Sequence, residues 1–271
     1  MESSLNNNTF VLEALKKGHR IDGRGIYDHR EISIKHEKTP GSVEVQLGKS
    51  RVHAVTTCQV VRPYPDRPAE GQLTITLELT SLCDPSFDTV ANKQACTELE
   101  VMISRQLDKL VRQSRCLDLE SLVLSVGEQV WQINLTVHVL DNDGNLADAC
   151  LISAMASLKS FKRPEFSRVG DGPVVIHSTN ERAPIPLSIN YTPVLCTFSY
   201  FMDGSYLVLD PCLAEERFHS GSISIAINSN DEICYISKNG GVSLPIETVN
   251  LCTLVASEKA KHIIGLISQP Q

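Results

Sequence analysis

Twice in its 271 residues the chain passes through segments whose apolar side chains recur at every second position, and only afterwards through segments where they recur at helical spacing. Halves built strands first and helices after cannot be wound as the alternating units of a doubly wound parallel sheet, so the fold class is α+β with a weak internal repeat. In the first half Ser42–Leu47 alternates strictly, Gly48-Lys49 turns the chain, and the β-branched run Val52–Val61 returns beside it. Arg62–Pro68 carries three prolines, which cannot donate to a central ladder, and reads as a rigid loop before the alternating Leu73–Leu79.

The helical segments are equally distinct. Phe10–Lys17 reads as a short helix with Thr9 as N-cap and Gly18 as stop. Ala95–Arg115 is long and amphipathic: Leu99, Ile103, Leu107 and Leu110 share one face, with Arg105, Lys109 and Arg112 roughly opposite and Arg115 just beyond. Strands at Ser121–Val126 and Val130–Leu140 flank a Gly127-Glu128 turn. Asp141–Asn145 then turns into a helix from about Ala147 to Leu158, whose small residues predict close packing. The second half holds strands at Val194–Tyr200, Tyr206–Asp210, Ser222–Asn228 and Ile233–Ser237, then a closing helix from Glu247 to Ile267. The expected organisation is an N-terminal helix and arm (1–27), a first subdomain (28–165), a linker (166–186) and a second subdomain (187–271). Sheet edges such as Leu73–Leu79 or Ser222–Asn228 are expected to need cover from a partner.

A hydrophobic fraction of 42% fits a soluble globular protein, and the apolar runs stop far short of a membrane span. The N-terminus has no basic region followed by an apolar core, so an intracellular protein is expected. The nine cysteines form no C-x-x-C pair and read as reduced, largely buried thiols; no metal site is expected. A net charge of −7 argues against nucleic-acid binding over the whole surface while leaving room for a local basic strip.

Three constellations can carry chemistry. Asp210 and Glu216, on the loop after a strand, suit a metal or an acid–base pair, or else a plain solvated acidic loop, which the spacing favours. Asp143–Asp148 opens a helix whose free N–H groups suit phosphate, but Asp148 in the first turn favours structural capping instead. The basic face Arg105, Lys109, Arg112 and Arg115, extended by Arg62 and Arg67 beside Tyr64, suits the backbone of a single strand; the alternative is a merely solvated helix face. Trp131 reads as core.

Arg20–Arg24, Arg62–Gly71, Gly127–Trp131, Val137–Asn145 with its helix, and Pro184–Leu187 together resemble the RNase PH family, in the branch found in exosome rings, over about Phe10 to Ile267. The resemblance implies the RNase PH fold: a first half like ribosomal protein S5 domain 2 and an RNase PH second half. It implies a phosphorolytic site with two aspartates, at the positions of Asp210 and Glu216. A Thr-Arg phosphate cradle falls on Leu146 and Ala147, and a further aspartate on Ser222. Leu146 and Ala147 offer neither donor nor charge to an attacking phosphate, so an inactive member is expected, without cofactor. On this reading, alanine at Asp210 and Glu216 would leave an assembled complex's activity unaltered. The alternative is an active phosphate-dependent 3′-exoribonuclease. The resemblance further implies other RNase PH-like ring subunits, RNA-binding cap subunits, an associated hydrolytic nuclease and single-stranded RNA as partners. It also implies a role in rRNA processing and a place in nucleus, nucleolus and cytoplasm.

Overall fold

The computed structural model describes residues 5–79, 83, 93–167, 174–178 and 181–268. In chain order the elements of the first half are α1 (Leu5–Lys16), β1 (Ile32–His36), β2 (Ser42–Leu47), β3 (Ser50–Val61), β4 (Gln72–Leu79), α2 (Lys93–Asp108), β5 (Val123–Ser125), β6 (Gln129–Asp141) and α3 (Leu146–Ser160). Short pairs follow at β7 (Lys162–Arg163) with β10 (Ile185–Pro186), and β8 (Phe166–Ser167) with β9 (Val175–Ile176). The second half holds β11 (Val194–Phe201), β12 (Tyr206–Leu209), α4 (Leu213–Glu216), β13 (Gly221–Ile227), β14 (Ile233–Asn239) and α5 (Ile246–Ile267).

The two-residue period does what it must. The β2–β3 hairpin turns at Gly48-Lys49, with Gly48 at φ +61° and Leu47 opposite Ser50. The first sheet runs β1-β2-β3-β6-β4, with β5 beside β6; β4 is parallel to β6 and every other pairing is antiparallel. Val43, Val45, Leu47, Val52, Ala54, Ile133, Leu135 and Val137 all point to one face and are fully buried. The second sheet, β12-β11-β13-β14, is antiparallel throughout. In β11 every residue is buried, because helices or loops cover both of its faces.

Between the sheets lies α3. It packs on β2, β3 and β6 on one side and on β11 and α5 on the other, and every residue from Asp148 to Leu158 is buried. A helix enclosed all round has no polar stripe, and its Ala and Ser side chains let both layers approach. The buried hydroxyls are satisfied: Ser157 Oγ donates to the Gly41 carbonyl and meets Thr56 Oγ1, each at 2.6 Å. One continuous apolar core therefore spans both halves.

Several expectations need correction. Helix α1 starts at Leu5, so Thr9 lies inside it; Gly18, at φ +75°, does follow its end. Ser121 and Leu122, expected to begin a strand, belong to a 3₁₀ turn at Glu120–Leu122. The basic end of the long helix widens into a π-helical turn at Lys109–Gln113, so regular helical spacing does not run through it. Ser222–Asn228 is no edge: β13 is hydrogen-bonded on both sides, and β14 and β12 are the outer strands, whereas β4 does lie at an edge. Trp131 is buried in the core, and five of the nine cysteines are buried. No helix among the described residues is long and apolar enough to cross a membrane.

Since α3 touches both sheets, enlarging it pushes both layers apart. Ala154→Leu is expected to destabilise the protein by about 3 kcal/mol, more than the same change at an ordinary surface position. Urea unfolding of the two variants checks this.

Candidate functional site

The arm between α1 and β1 carries three arginines, and the fold brings all three to the loop that follows β12. Arg20, whose side chain is fully buried, grips Glu215 with two bonds (Nε–Oε1 3.1 Å, Nη2–Oε2 2.7 Å) and donates to the carbonyls of Leu209 and Asp210. Arg24 donates to Asp210 Oδ2 at 2.9 Å. Arg30 binds Asp210 in a fork (Nε–Oδ2 2.9 Å, Nη2–Oδ1 2.8 Å), adds its backbone N–H at 2.9 Å, and reaches on to the carbonyls of Asp143 and Gly144. Asn145 Nδ2 gives Asp210 Oδ1 a further bond at 2.7 Å. Asp210 has no exposed surface and sits at φ +51°, a conformation held by its N–H bond to the Thr197 carbonyl. Burial alone would raise its pKa, but the hydrogen bonds and charge of Arg30, with Asn145, hold the carboxyl well below the usual range.

Asp210 is therefore not a solvated acidic side chain. Its two oxygens accept five hydrogen bonds, which exhausts the lone pairs of a carboxylate. Among the described residues no group of three His, Cys, Asp or Glu side chains could hold a metal ion.

The turn before α3 meets the same loop. Gly144 is at φ +85°, and a Cβ there would lie 2.5 Å from the Leu213 backbone nitrogen, so only glycine fits. Asn145 is at φ +53°, and its side chain does not cap the helix. The N–H of Asn145, at the α3 N-terminus, donates instead to Glu216 Oε1 at 2.7 Å. A carboxylate of the chain itself thus occupies the position where a helix start would receive an anion. Asp148, in the first turn of α3, points into β11 and accepts Thr197 Oγ1 at 2.7 Å and the Thr197 N–H at 3.0 Å. It staples helix to sheet and does not face the cavity mouth. Burial raises both Glu216 and Asp148 to about 7.

Of the five positions that the resemblance assigns to a phosphorolytic site, Leu146, Ala147, Glu216 and Ser222 line one cavity of about 430 Å³ between α2, α3 and the second sheet, whereas Asp210 is fully buried and does not line it. The basic residues are only partly gathered. Arg105 and Lys109 line an adjoining groove of about 450 Å³ with Tyr235 of β14, and Lys109 Nζ lies 5.8 Å from that ring's centre. Arg112 points to Asp108, at 2.8 Å, and does not line the groove. Arg115 is exposed at φ +60°. On the proline loop, Arg62 and Tyr64 are exposed, and Arg67 pairs with Glu70 at 3.4 Å.

Sequence reasoning did not foresee Arg20, Arg24, Arg30, Glu215 or Tyr235. Three arginines within eleven residues of an otherwise polar arm were the available signal for the first three.

Residues 28–164 match domain 1, and residues 191–259 domain 2, of the 3′ exoribonuclease (RNase PH) family. The chain belongs to that family. It is 40% identical over 269 residues to the exosome complex component rrp45 of Schizosaccharomyces pombe, covering 99% of this chain and 91% of that one. It is 43% identical over 260 residues to the exosome complex component RRP45 of Danio rerio, covering 96% of this chain but only 65% of that protein's length. Among solved structures it resembles a chain of an Archaeoglobus fulgidus exosome with RNA bound to the active site, with a TM-score of 0.82, 28% identity and coverage of 97% and 98%.

Two outcomes follow from this geometry. Asp210→Ala would leave Arg30 and Arg24 facing a buried void and is expected to cost about 3–5 kcal/mol, seen as a lowered unfolding midpoint. For Glu216 the ordinary value of 4.5 rises to about 7 in the fold, so the folded chain holds a proton there that the unfolded chain has lost. Its stabilising contribution is complete below the lower value and is lost as pH rises through the upper one. Glu216→Gln keeps an acceptor for Asn145 and removes that loss. Its melting temperature relative to wild type should climb between about pH 5 and about pH 8.

Proposed function

We propose that this chain is a non-catalytic subunit of an exosome ring, with a structural role and a role in guiding RNA toward 3′-to-5′ degradation and rRNA processing. The observation that carries the reading is the state of the carboxylates. Asp210, at a catalytic position of the family, is saturated by two arginines and an amide, and Glu216 is spent on the start of α3. Phosphorolysis requires donors and positive charge held open for an attacking phosphate. Here Leu146 and Ala147 stand at the cradle, and the helix N–H is already taken. The relatives named above support membership of the assembly. Its other members would be RNase PH-like ring subunits, cap RNA-binding subunits and an associated hydrolytic nuclease, acting in nucleus, nucleolus and cytoplasm.

The guiding role falls to the groove lined by Arg105, Lys109 and Tyr235, where Lys109 lies over the ring and Arg105 adds a second cation, a combination suited to single strands. Arg112 is held by Asp108, and Arg62, Arg67 and Arg115 contribute only as outlying charges.

The purified chain is expected to release no nucleoside diphosphates from RNA in the presence of phosphate; chromatography of the products checks this, and phosphate-dependent release would restore the enzyme reading. Alanine at Asp210 is unsuitable for this test, because it dismantles the clasp and would confound lost chemistry with lost assembly.

If Arg105 and Lys109 bind phosphates, reversing both to glutamate in the assembled ring should weaken binding of an unstructured RNA and lower the salt slope by roughly 0.7 for each phosphate no longer neutralised. Reversal of Arg112 should change it less. Equal effects at all three positions would point to a diffuse surface field.

A further inference from the structure

The groove beside α2 has two unlike walls, and a β-bulge sets the difference. Ile233 lies opposite Ile227 but Tyr235 lies opposite Ala226, so Cys234 has no partner on β13 and the alternation of β14 changes phase there. Without the extra residue Tyr235 would share the face of Ile233. With it, Tyr235, Ser237 and Asn239 share the face of Ser224 and Ser222 and line the groove against α2. These three recur at every second residue, in steps of roughly 7 Å along the strand. On the other wall Arg105 and Lys109 stand about 6 Å apart along the helix axis. The walls run antiparallel: Lys109 Nζ lies over the Tyr235 ring, whereas Asn239, at the end of β14, adjoins Met102 and Gln106 on the lining. Cations at repeating distance suit a phosphate backbone. The β14 wall has no charge to offer it; it carries an aromatic ring, a hydroxyl and an amide. Among the described residues no hydrogen bond engages the Tyr235 hydroxyl, the Ser237 hydroxyl or the Asn239 side chain. Asn239 is exposed and the other two are half-buried, so their polar atoms keep contact with solvent. Glu98, the one carboxylate on the lining, lies two turns of α2 from Arg105 and accepts from Gln94 Nε2 at 3.1 Å.

We propose that β14 is a nucleobase-binding wall: the phosphates of a single strand lie on Arg105 and Lys109 while its unpaired bases turn to β14, one stacking on Tyr235 and the next presenting its edge to Ser237 and Asn239. This rests on the RNA-guiding reading and adds to it the chemical group that is recognised. Lys109 is exposed, and on binding it exchanges the face of the Tyr235 ring for a phosphate. A duplex keeps its bases paired and stacked on one another, so such a wall selects single strands.

The assembled ring is titrated, across a salt series, with an unstructured oligoribonucleotide and with an abasic oligomer of the same length, which keeps the sugars and phosphates. Tyr235→Leu, which keeps an apolar side chain against the core and removes the aromatic face, should weaken binding of the oligoribonucleotide by about tenfold. It should leave the abasic affinity and both salt slopes unchanged, and Tyr235→Phe should bind as wild type does. Asn239→Ala should weaken the oligoribonucleotide by about fivefold and leave the abasic oligomer alone. Circular dichroism confirms that each variant is folded, and Asn239→Ala alone decides if Tyr235→Leu is not. Full affinity for the oligoribonucleotide in either folded variant, or an equal loss for the two oligomers, would overturn the proposal. Reversal of Arg105 and Lys109 to glutamate separates the two ways of failing. If it weakens both oligomers while the β14 variants weaken neither, the base wall falls and the guiding reading stands; if it too changes nothing, both fall.

Discussion

A carboxylate with no exposed surface is a large desolvation burden, and in this protein the burden is met by guanidinium groups delivered from the far end of the chain. Asp210 and Glu215 lie on the loop after β12, while Arg20, Arg24 and Arg30 arrive from an arm some 180 to 195 residues earlier in sequence. An ion pair of this kind seldom adds net stability over a well-packed apolar substitute, because the charges lose their hydration on the way in. What it adds is specificity of position. The fork of Arg30 fits one orientation of one carboxylate, and its remaining hydrogens fit the carbonyls of the turn before α3. The arm, the turn and the loop therefore have one mutual arrangement in which all these groups are satisfied.

That arrangement depends in turn on α3. Because the helix is shared by both sheets, the turn at its start is carried to the second half, and Asp148 can tie it to Thr197 of β11. Apolar packing supplies the attraction between layers, since the core is continuous across them. Packing of this kind is non-directional. The polar contacts at the start of α3 set the register at which the two layers meet, and both cavity and groove are consequences of that register.

Much of this was legible in the sequence, and the reasons differ by element. Strict alternation in Ser42–Leu47 and Val52–Val61 fixed the hairpin, since a slip of one residue would turn every valine to solvent. The small residues of Cys150–Leu158 announced a closely packed helix before its neighbours were known. The edge at Ser222–Asn228 was misplaced because strand order in a sheet is a long-range property: the pairing of β13 with β11 and β14 is written in no local period. Asp210 was misread for a related reason. A run of Asp, Pro, Glu and Glu has the composition of a solvated loop, and its partners lie far away in the chain. The resemblance to the RNase PH family put weight on Asp210, Glu216, Leu146, Ala147 and Ser222, and the structure supplied what the atoms at those positions touch.

The contacts of Asp210 and Glu216 hold the fold together with the same lone pairs that any chemistry at these positions would use. A carboxylate poised for metal or proton transfer needs lone pairs left open and a pKa near its task. In Asp210 the lone pairs are saturated and the pKa is driven the opposite way by Arg30 and Asn145. Glu216 retains a perturbed pKa, yet its accepting oxygen holds a backbone N–H whose release would expose the start of α3. Both groups are committed to structural contacts in this arrangement. The basic groove is free of this conflict, because Arg105 and Lys109 lie outside the clasp and face solvent beside Tyr235. The groove at the α2 surface keeps its cations and its aromatic ring outside the contacts that bind the carboxylates beneath it.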